Sequence, residues 1–266
     1  MSGPHPFLSR LERFAEIDST QRVVAGWLAD GLPEVALATA DVQTAGRGRA
    51  GRAWQAPAGT ALLMTCGFRP RGLPLARAWR LAAIASLALA EAVEAQGLRD
   101  GAIGLKWPND LVADGPHGEP LKMAGVLGEV TAAADGTVET CLVGLGVNVD
   151  WPVDLFPPDL AASMTSLREL ARRPVDRDAV LEGFLDRLEP RHEALLAGRF
   201  DSAGWAGRQR KTGRHLTLQV GDEVVAGQGV GVDPLSGALR VDVAGTIRRF
   251  DSAEVLRCRI LATGRL

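Results

Sequence analysis

Residues 44–54 read TAGRGRAGRAW, with glycine at 46, 48 and 51 and arginine at 47, 49 and 52. Glycine lets a backbone come close to an anion and offer its N–H groups, and guanidinium adds planar forks for phosphate or carboxylate. The three glycines satisfy G-x-G-x-x-G in letter only. A dinucleotide site needs a helix opening there and an acidic residue about 20 positions on. Pro57 and Gly59 deny the helix, and no Asp or Glu occurs from Val42 to Ala90. No Gly-Lys-Ser/Thr is present, so the stretch is not a Walker A loop. What remains is a mobile cationic loop, short of internal partners, that should order on a ligand. Bringing a carboxylate to about 4 Å from a phosphate, at an effective dielectric near 20, costs roughly 4 kcal/mol per unit charge pair. Clustered arginines would cancel that repulsion. An arginine-glycine nucleic-acid tract or a solvated loop is the alternative. Such tracts are long and disordered, whereas this one is clamped between two strand-like runs, which favours a small anionic ligand.

Four other stretches could carry chemistry. KWPND, 106–110, offers the Asn109 carboxamide and the Asp110 carboxylate at a strand break, or merely a turn. LKMAGVLGEV, 121–130, opens with Lys122 and contains Gly125 and Gly128, which would let a ligand lie against the backbone. Lys106, Lys122 and Lys211 are the only lysines among 30 basic residues, so a lysine hints that a compact, movable ammonium was wanted. The bland reading of Lys122 is an exposed strand start. GLGVNV, 144–149, puts glycines inside an apolar strand with Asn148 as a polar handle, or forms a bulge. In IDST, 17–20, Ser19 and Thr20 cap a helix or present hydroxyls to a ligand.

The elements that must position these residues follow from periodicity. Residues 18–31 read as a short helix stopped by Gly31, 34–44 and 59–68 as strands, and 74–96 as a long helix stopped by Gly97. Residues 103–107, 110–114, 121–130 and 137–151 read as further strands. Asp176 to Ala197 is an amphipathic helix with Val180, Leu181, Phe184, Leu185 and Leu188 on its apolar side. From Arg214 onward, short strands alternate with Gly/Asp/Pro turns, which places a domain boundary near residue 212. Residues 150–212 carry no motif.

Composition narrows the class. The chain has 266 residues, 46% hydrophobic and 23% charged, with a formal charge of −2. That is an ordinary globular balance and a poor one for a polyanion binder. Cys66, Cys141 and Cys258 lie far apart with no CxxC, which argues for a reducing, cytoplasmic setting. The four histidines lie singly, so local spacing writes no metal site. The N-terminal stretch lacks a signal-peptide pattern, and LAAIASLALA, 81–90, is too short to span a bilayer.

Together and in this order, DST, QTAGRGRAGRAW, KWPND, KMAGVLGE and GLGVNV resemble the biotin protein ligase family over about Asp18 to Asn148. The resemblance implies an α+β fold of the class II synthetase-like, biotin/lipoate ligase type. Residues 1–212 would form a catalytic domain of mixed β-sheet with helices packed on it, and residues 213–266 a small SH3-like β-barrel. It implies ATP-dependent, C–N bond-forming chemistry, with Mg²⁺ and with biotin as substrate. Biotin would become biotinyl-5′-AMP and then pass to a lysine of a biotin carboxyl carrier protein domain. By the same resemblance Lys122, Arg47 and Arg49 are catalytic. Ser19, Thr20, Gln21, Gln43, Gly46, Arg47, Gly48, Arg49, Lys122 and Gly125 hold biotin. Arg49, Arg52, Trp54, Asn109 and Asn148 hold ATP, with Lys106 behind them.

About 17 residues precede DST, too few for the winged-helix domain of larger relatives, so the expected form is the one without a DNA-binding domain. Neither DNA nor a membrane is an expected partner, and a homodimer is left open. Ala50 and Ala53 stand where some relatives carry basic residues, which implies a looser hold on the adenylate. A lipoate or octanoate ligase is the nearest rival, and an arginine-loop nucleic-acid module the more distant one.

Overall fold

The computed structural model describes residues 5–108, 110–251 and 254–259. Seven strands form the larger sheet: β1 (Arg10–Ile17), β2 (Ala36–Gln43), β3 (Ala61–Phe68), β4 (Ile103–Lys106), β5 (Asp110–Asp114), β6 (Pro120–Ala132) and β7 (Val138–Asn148). Their spatial order is β1-β2-β3-β7-β6-β5-β4. β1 and β2 run parallel and every other neighbouring pair antiparallel, so the sheet is mixed. A parallel pair needs a crossover. Helix α1 (Thr20–Ala29) supplies it, lying on β2, β3 and β7. A Cβ at Gly67 of β3 would lie 2.4 Å from Val24 Cγ1, so glycine there lets α1 come close to the sheet.

The other face is covered by α2 (Trp79–Glu94) and, packed on it, α4 (Arg177–Leu196), which follows the short α3 (Leu167–Ala171). The apolar side expected for α4 is wholly buried: Val180, Leu181, Phe184, Leu185 and Leu188 are each 0% exposed. Each such side chain contributes about 1.5–3 kcal/mol on burial. Asp176 caps α4 by accepting from Asp178 N–H. The helix expected over 74–96 begins as a 3₁₀ turn at Leu75–Arg77 before α2, and Gly97 ends it at φ 103°.

A buried ion pair ties α2 to the segment after α5 (Ser202–Gly207). Arg208 donates to Glu94 Oε1 at 2.7 Å and Oε2 at 2.9 Å, and Ile103 N–H donates to Oε1 at 2.9 Å. Burial alone would raise the Glu94 carboxyl. The bonds from Arg208 and Ile103 outweigh it and hold the group below the usual carboxylate range.

The second sheet is antiparallel, in the order β11-β10-β9-β8-β12. Its strands are β8 (His215–Val220), β9 (Glu223–Val232), β10 (Leu239–Val243), β11 (Thr246–Phe250) and β12 (Glu254–Arg259). Among the described residues it is an open sheet, with β11 and β12 at its edges. Leu216, Leu218, Leu239 and Val241 continue the core of the larger sheet. The Trp107 indole N–H donates to Gly237 O at 3.1 Å across the junction. Among the described residues no helix is long and apolar enough to cross a membrane.

Candidate active site

One cavity of about 420 Å³ opens at the end of the sheet where β3, β6 and β7 meet the N-terminus of α1 and the arginine loop. That volume is in the range of small-molecule sites. Ser19, Thr20, Gln21, Gln43, Arg47, Gly48, Arg49, Arg52, Trp54, Lys106, Lys122, Gly125 and Asn148 all line it. These residues span 130 positions of sequence from Ser19 to Asn148, and the sheet order brings them together. Gly46 is not a lining residue. A Cβ on it would lie 2.5 Å from Trp54 O and 3.3 Å from Gln43 Nε2, so its small size shapes the loop. Asn109 lies outside the described residues.

At the inner end, the capping bond expected as one reading of Ser19, which precedes α1, is not made. Gln43 Oε1 instead accepts from Thr20 N–H at 2.8 Å and from Thr20 Oγ1 at 3.0 Å. Thr65 of β3, which lines the cavity but is 0% exposed, places its hydroxyl 2.8 Å from Thr20 Oγ1.

At the outer end the groups are charged. Lys122 Nζ lies 2.8 Å from Asp110 Oδ1 and 5.2 Å from the Trp54 ring centroid. Arg47 Nη2 lies 3.2 Å from Glu129 Oε1. Asp110 is the one carboxylate lining the cavity among the described residues. The Trp54 indole fills the space left by the strand glycines: a Cβ would meet it at 2.9 Å from Gly125 and 2.4 Å from Gly146. The close approach expected at those glycines is thus made by a ring of the loop itself. Its Nε1 is buried with no acceptor among the described residues.

The loop is better knit than its composition suggests. Gly48 N–H donates to Arg52 O at 2.7 Å, Trp54 N–H to Gly46 O at 3.0 Å, and Arg49–Gly51 forms a 3₁₀ turn. The expectation of few internal partners is corrected: a return of the chain at Arg47 and Ala53 supplies them. Asn148 is partly committed as well, its Nδ2 donating to Thr165 O at 3.0 Å.

Sequence reasoning missed Thr65, Glu129 and a whole wall. Trp151, Leu160, Ser163 and Met164 line the cavity from the stretch that carries no motif. β7 ends its pairing with β6 at Ala124, and residues 163–165 take its place beside Lys122. Lys122 N–H donates to Ser163 O at 2.8 Å and Lys122 O accepts from Thr165 N–H at 2.9 Å.

Residues 14–148 match the model of the biotin/lipoate A/B protein ligase family. The chain belongs to that family. Among its relatives, the biotin--[acetyl-CoA-carboxylase] ligase of Paracoccus denitrificans is 35% identical over 236 residues, 85% of this chain and 91% of the relative. That of Mycobacterium tuberculosis is 30% identical over 246 residues, 91% of this chain and 85% of the relative. The solved biotin protein ligase from Aquifex aeolicus in complex with biotin and ATP superposes with a TM-score of 0.76 at 25% identity, over 95% of this chain and 99% of that one. Each of the five stretches that carry the resemblance contributes residues to the lining of the cavity, and no cluster of three metal-ligating side chains occurs among the described residues.

Proposed function

We propose that this chain is a biotin protein ligase. It joins the biotin carboxylate to the α-phosphorus of ATP, releasing pyrophosphate, and then hands the biotinyl group from biotinyl-5′-AMP to a lysine amine, releasing AMP. The acceptor is a biotin carboxyl carrier protein domain of a carboxylase. The observation that carries this reading is the convergence of a polar inner end, Ser19, Thr20 and Gln43, with a cationic outer end, Lys122, Arg47, Arg49 and Arg52, in one cavity.

The inner end suits the ureido ring, the apolar wall of Met64, Val126 and Leu145 suits the ring and chain of biotin, and the outer end suits the phosphates. Before substrate arrives, two of the cations rest on protein carboxylates, Lys122 on Asp110 and Arg47 on Glu129. The substrate anions take over those cations. The charge that would otherwise hold carboxylate and phosphate apart is then cancelled where the new bond forms. Lys122 is suited to the shifting oxygen because an ammonium is a compact charge with three rotatable donors. The arginine loop over the cavity excludes water from the mixed anhydride. Mg²⁺ fits as an ion carried in by the triphosphate, since among the described lining residues only Asp110 is a carboxylate.

Residues 213–266 are assigned as the SH3-like unit of the family and residues 1–212 as the catalytic domain. The buried free thiols of Cys66 and Cys141 support a reducing, cytoplasmic setting.

The test is incorporation of labelled biotin into a purified carrier domain with Mg-ATP, comparing the wild type with Lys122→Ala. Pyrophosphate release that is stimulated by octanoate or lipoate as strongly as by biotin would replace this reading with that of a lipoate-type ligase.

A further inference from the structure

We propose that a cavity between α2 and α4 is a second small-molecule site, and that it takes a monocarboxylate with an apolar body whose charged end is held by Arg80. It shares no lining residue with the cavity at the arginine loop, and the inference goes beyond the biotin reading of that site.

The cavity holds about 450 Å³, within the range of small-molecule sites. Ile84 and Leu87 of α2, Ala194 of α4 and Phe200 give it an apolar wall. Positions 80, 84, 87 and 91 follow one stripe of α2, so Arg80 and Glu91 stand at the two ends of that wall. The two ends differ in how their charge is met. Glu91 accepts two bonds of 2.7 Å from Nη2 of Arg191, a lining residue on α4. Arg80 has no such partner. It is 8% exposed, its Nε is buried with no acceptor, and no carboxylate pairs with it among the described residues. Its contacts are aromatic instead. The guanidinium carbon lies 5.1 Å from the ring centroid of Phe200, part of the cavity wall, and 5.6 Å from that of Trp79. Burial and the nearby charge of Arg77 both work against the Arg80 cation. A cation withdrawn from water and left without an anion is costly, and ring faces offset only part of that cost. The remaining lining groups do not supply the anion. Arg191 Nε is itself buried with no acceptor, and exposed Arg199 has no carboxylate partner among the described residues. Asp201 commits one oxygen to Gly204 N–H at 2.8 Å. A carboxylate on an apolar body answers both halves of the cavity. The carboxylate meets a guanidinium through paired charge-assisted bonds, and the body covers Ile84 and Leu87. A neutral ligand leaves the cation unmet, and a bare inorganic anion leaves the wall wet.

The experiment is calorimetric titration of the full chain with 4-phenylbutyrate, with 4-phenylbutanamide and inorganic phosphate for comparison. The carboxylate is expected to bind about tenfold more tightly than either the amide or phosphate. Arg80→Gln should weaken the carboxylate about tenfold and leave the amide within about twofold. Ala194→Phe, which fills the cavity from α4, should abolish binding of both organic probes. Saturating biotin should leave the Kd for 4-phenylbutyrate within about twofold, because the two cavities share no wall. Equal affinity for acid and amide overturns the proposal, as does an Arg80→Gln variant that binds like wild type. Displacement by biotin overturns it too, since the probe would then lie in the cavity at the arginine loop, and so does the absence of binding. Should Arg80→Gln fail to fold, Arg199→Gln at the exposed mouth and Ala194→Phe are read instead. The first should weaken the carboxylate alone by about threefold and the second should abolish binding, and unchanged affinity in either overturns the proposal. A chain that binds 4-phenylbutyrate as expected but releases no pyrophosphate with biotin sinks the biotin reading alone.

Discussion

Lys122 Nζ of β6 and Asp110 Oδ1 of β5 meet at 2.8 Å diagonally across the strand bulge at Leu111/Val112, where the ladder pairs Lys122 with Val112 and Asp110 with Gly125. The contact is a close ion pair whose geometry is not that of an aligned hydrogen bond, since Asp110 Oδ1 is otherwise unpartnered among the described residues. Such a pair is easily exchanged for one with substrate. Lys122→Ala is expected to slow biotinyl-adenylate formation roughly 10²–10³-fold, the usual cost of removing one preorganised donor to a developing charge. Single-turnover pyrophosphate release at saturating biotin and ATP measures it. Lys122→Arg should recover little, because a planar fork cannot follow the oxygen as an ammonium does.

The arginine loop has its own prediction. Residues 44–54 hold backbone bonds, yet Arg47 and Arg52 remain exposed at the mouth. Hydrogen exchange of their amides should slow when biotin and ATP are added together. Ala50→Arg should tighten binding of biotinyl-AMP, read as a lower Kd by calorimetry. An unchanged exchange pattern and an unchanged Kd would remove the idea that the loop closes on the adenylate.

The Glu94–Arg208 pair predicts both a stability loss and a pH dependence. Glu94 is 4% exposed, so Glu94→Ala strands the Arg208 charge in the interior, at a cost of about 3–5 kcal/mol. Thermal unfolding should show the midpoint falling by roughly 10 °C. The folded carboxyl lies below its unfolded value of about 4.3, so its contribution is fully present above that pH and fades as pH falls through the folded value. Acid titration of the wild type should therefore lose stability below about pH 4 more steeply than titration of Glu94→Gln.

Burial pushes the Cys141 thiol up to about 12, and pushes Cys66 up further, with Cys141 nearby adding to the effect. Thiolate is the reactive form, so neither thiol should react with a chromogenic disulfide at pH 8 before unfolding. Of the three cysteines in the chain, no more than one should titrate in the native protein and all three in denaturant.

Strands with a plain apolar alternation, and the two long helices, were legible because their patterns are long and their stops are glycines. β1 was not: RLERFAEI alternates charges with apolar residues and is a sheet edge, with most positions open to solvent. The five-residue α3 and six-residue α5 are too short for a helical period to register. The site divides the same way. Residues chosen for their own chemistry, such as Lys122 and Arg47, stand out. Thr65 does not, because a hydroxyl inside an apolar strand announces nothing until its partner, 45 positions away, is in place.

The main-chain bonds from Ser163 and Thr165 to Lys122 have a practical consequence for anyone dissecting the gene. A fragment ending just after Asn148 would retain each signature stretch and still surrender the rail on which its nucleophile-steering ammonium is mounted. Deletions in the unremarkable 150–165 stretch should silence the enzyme as surely as edits to its most conspicuous letters.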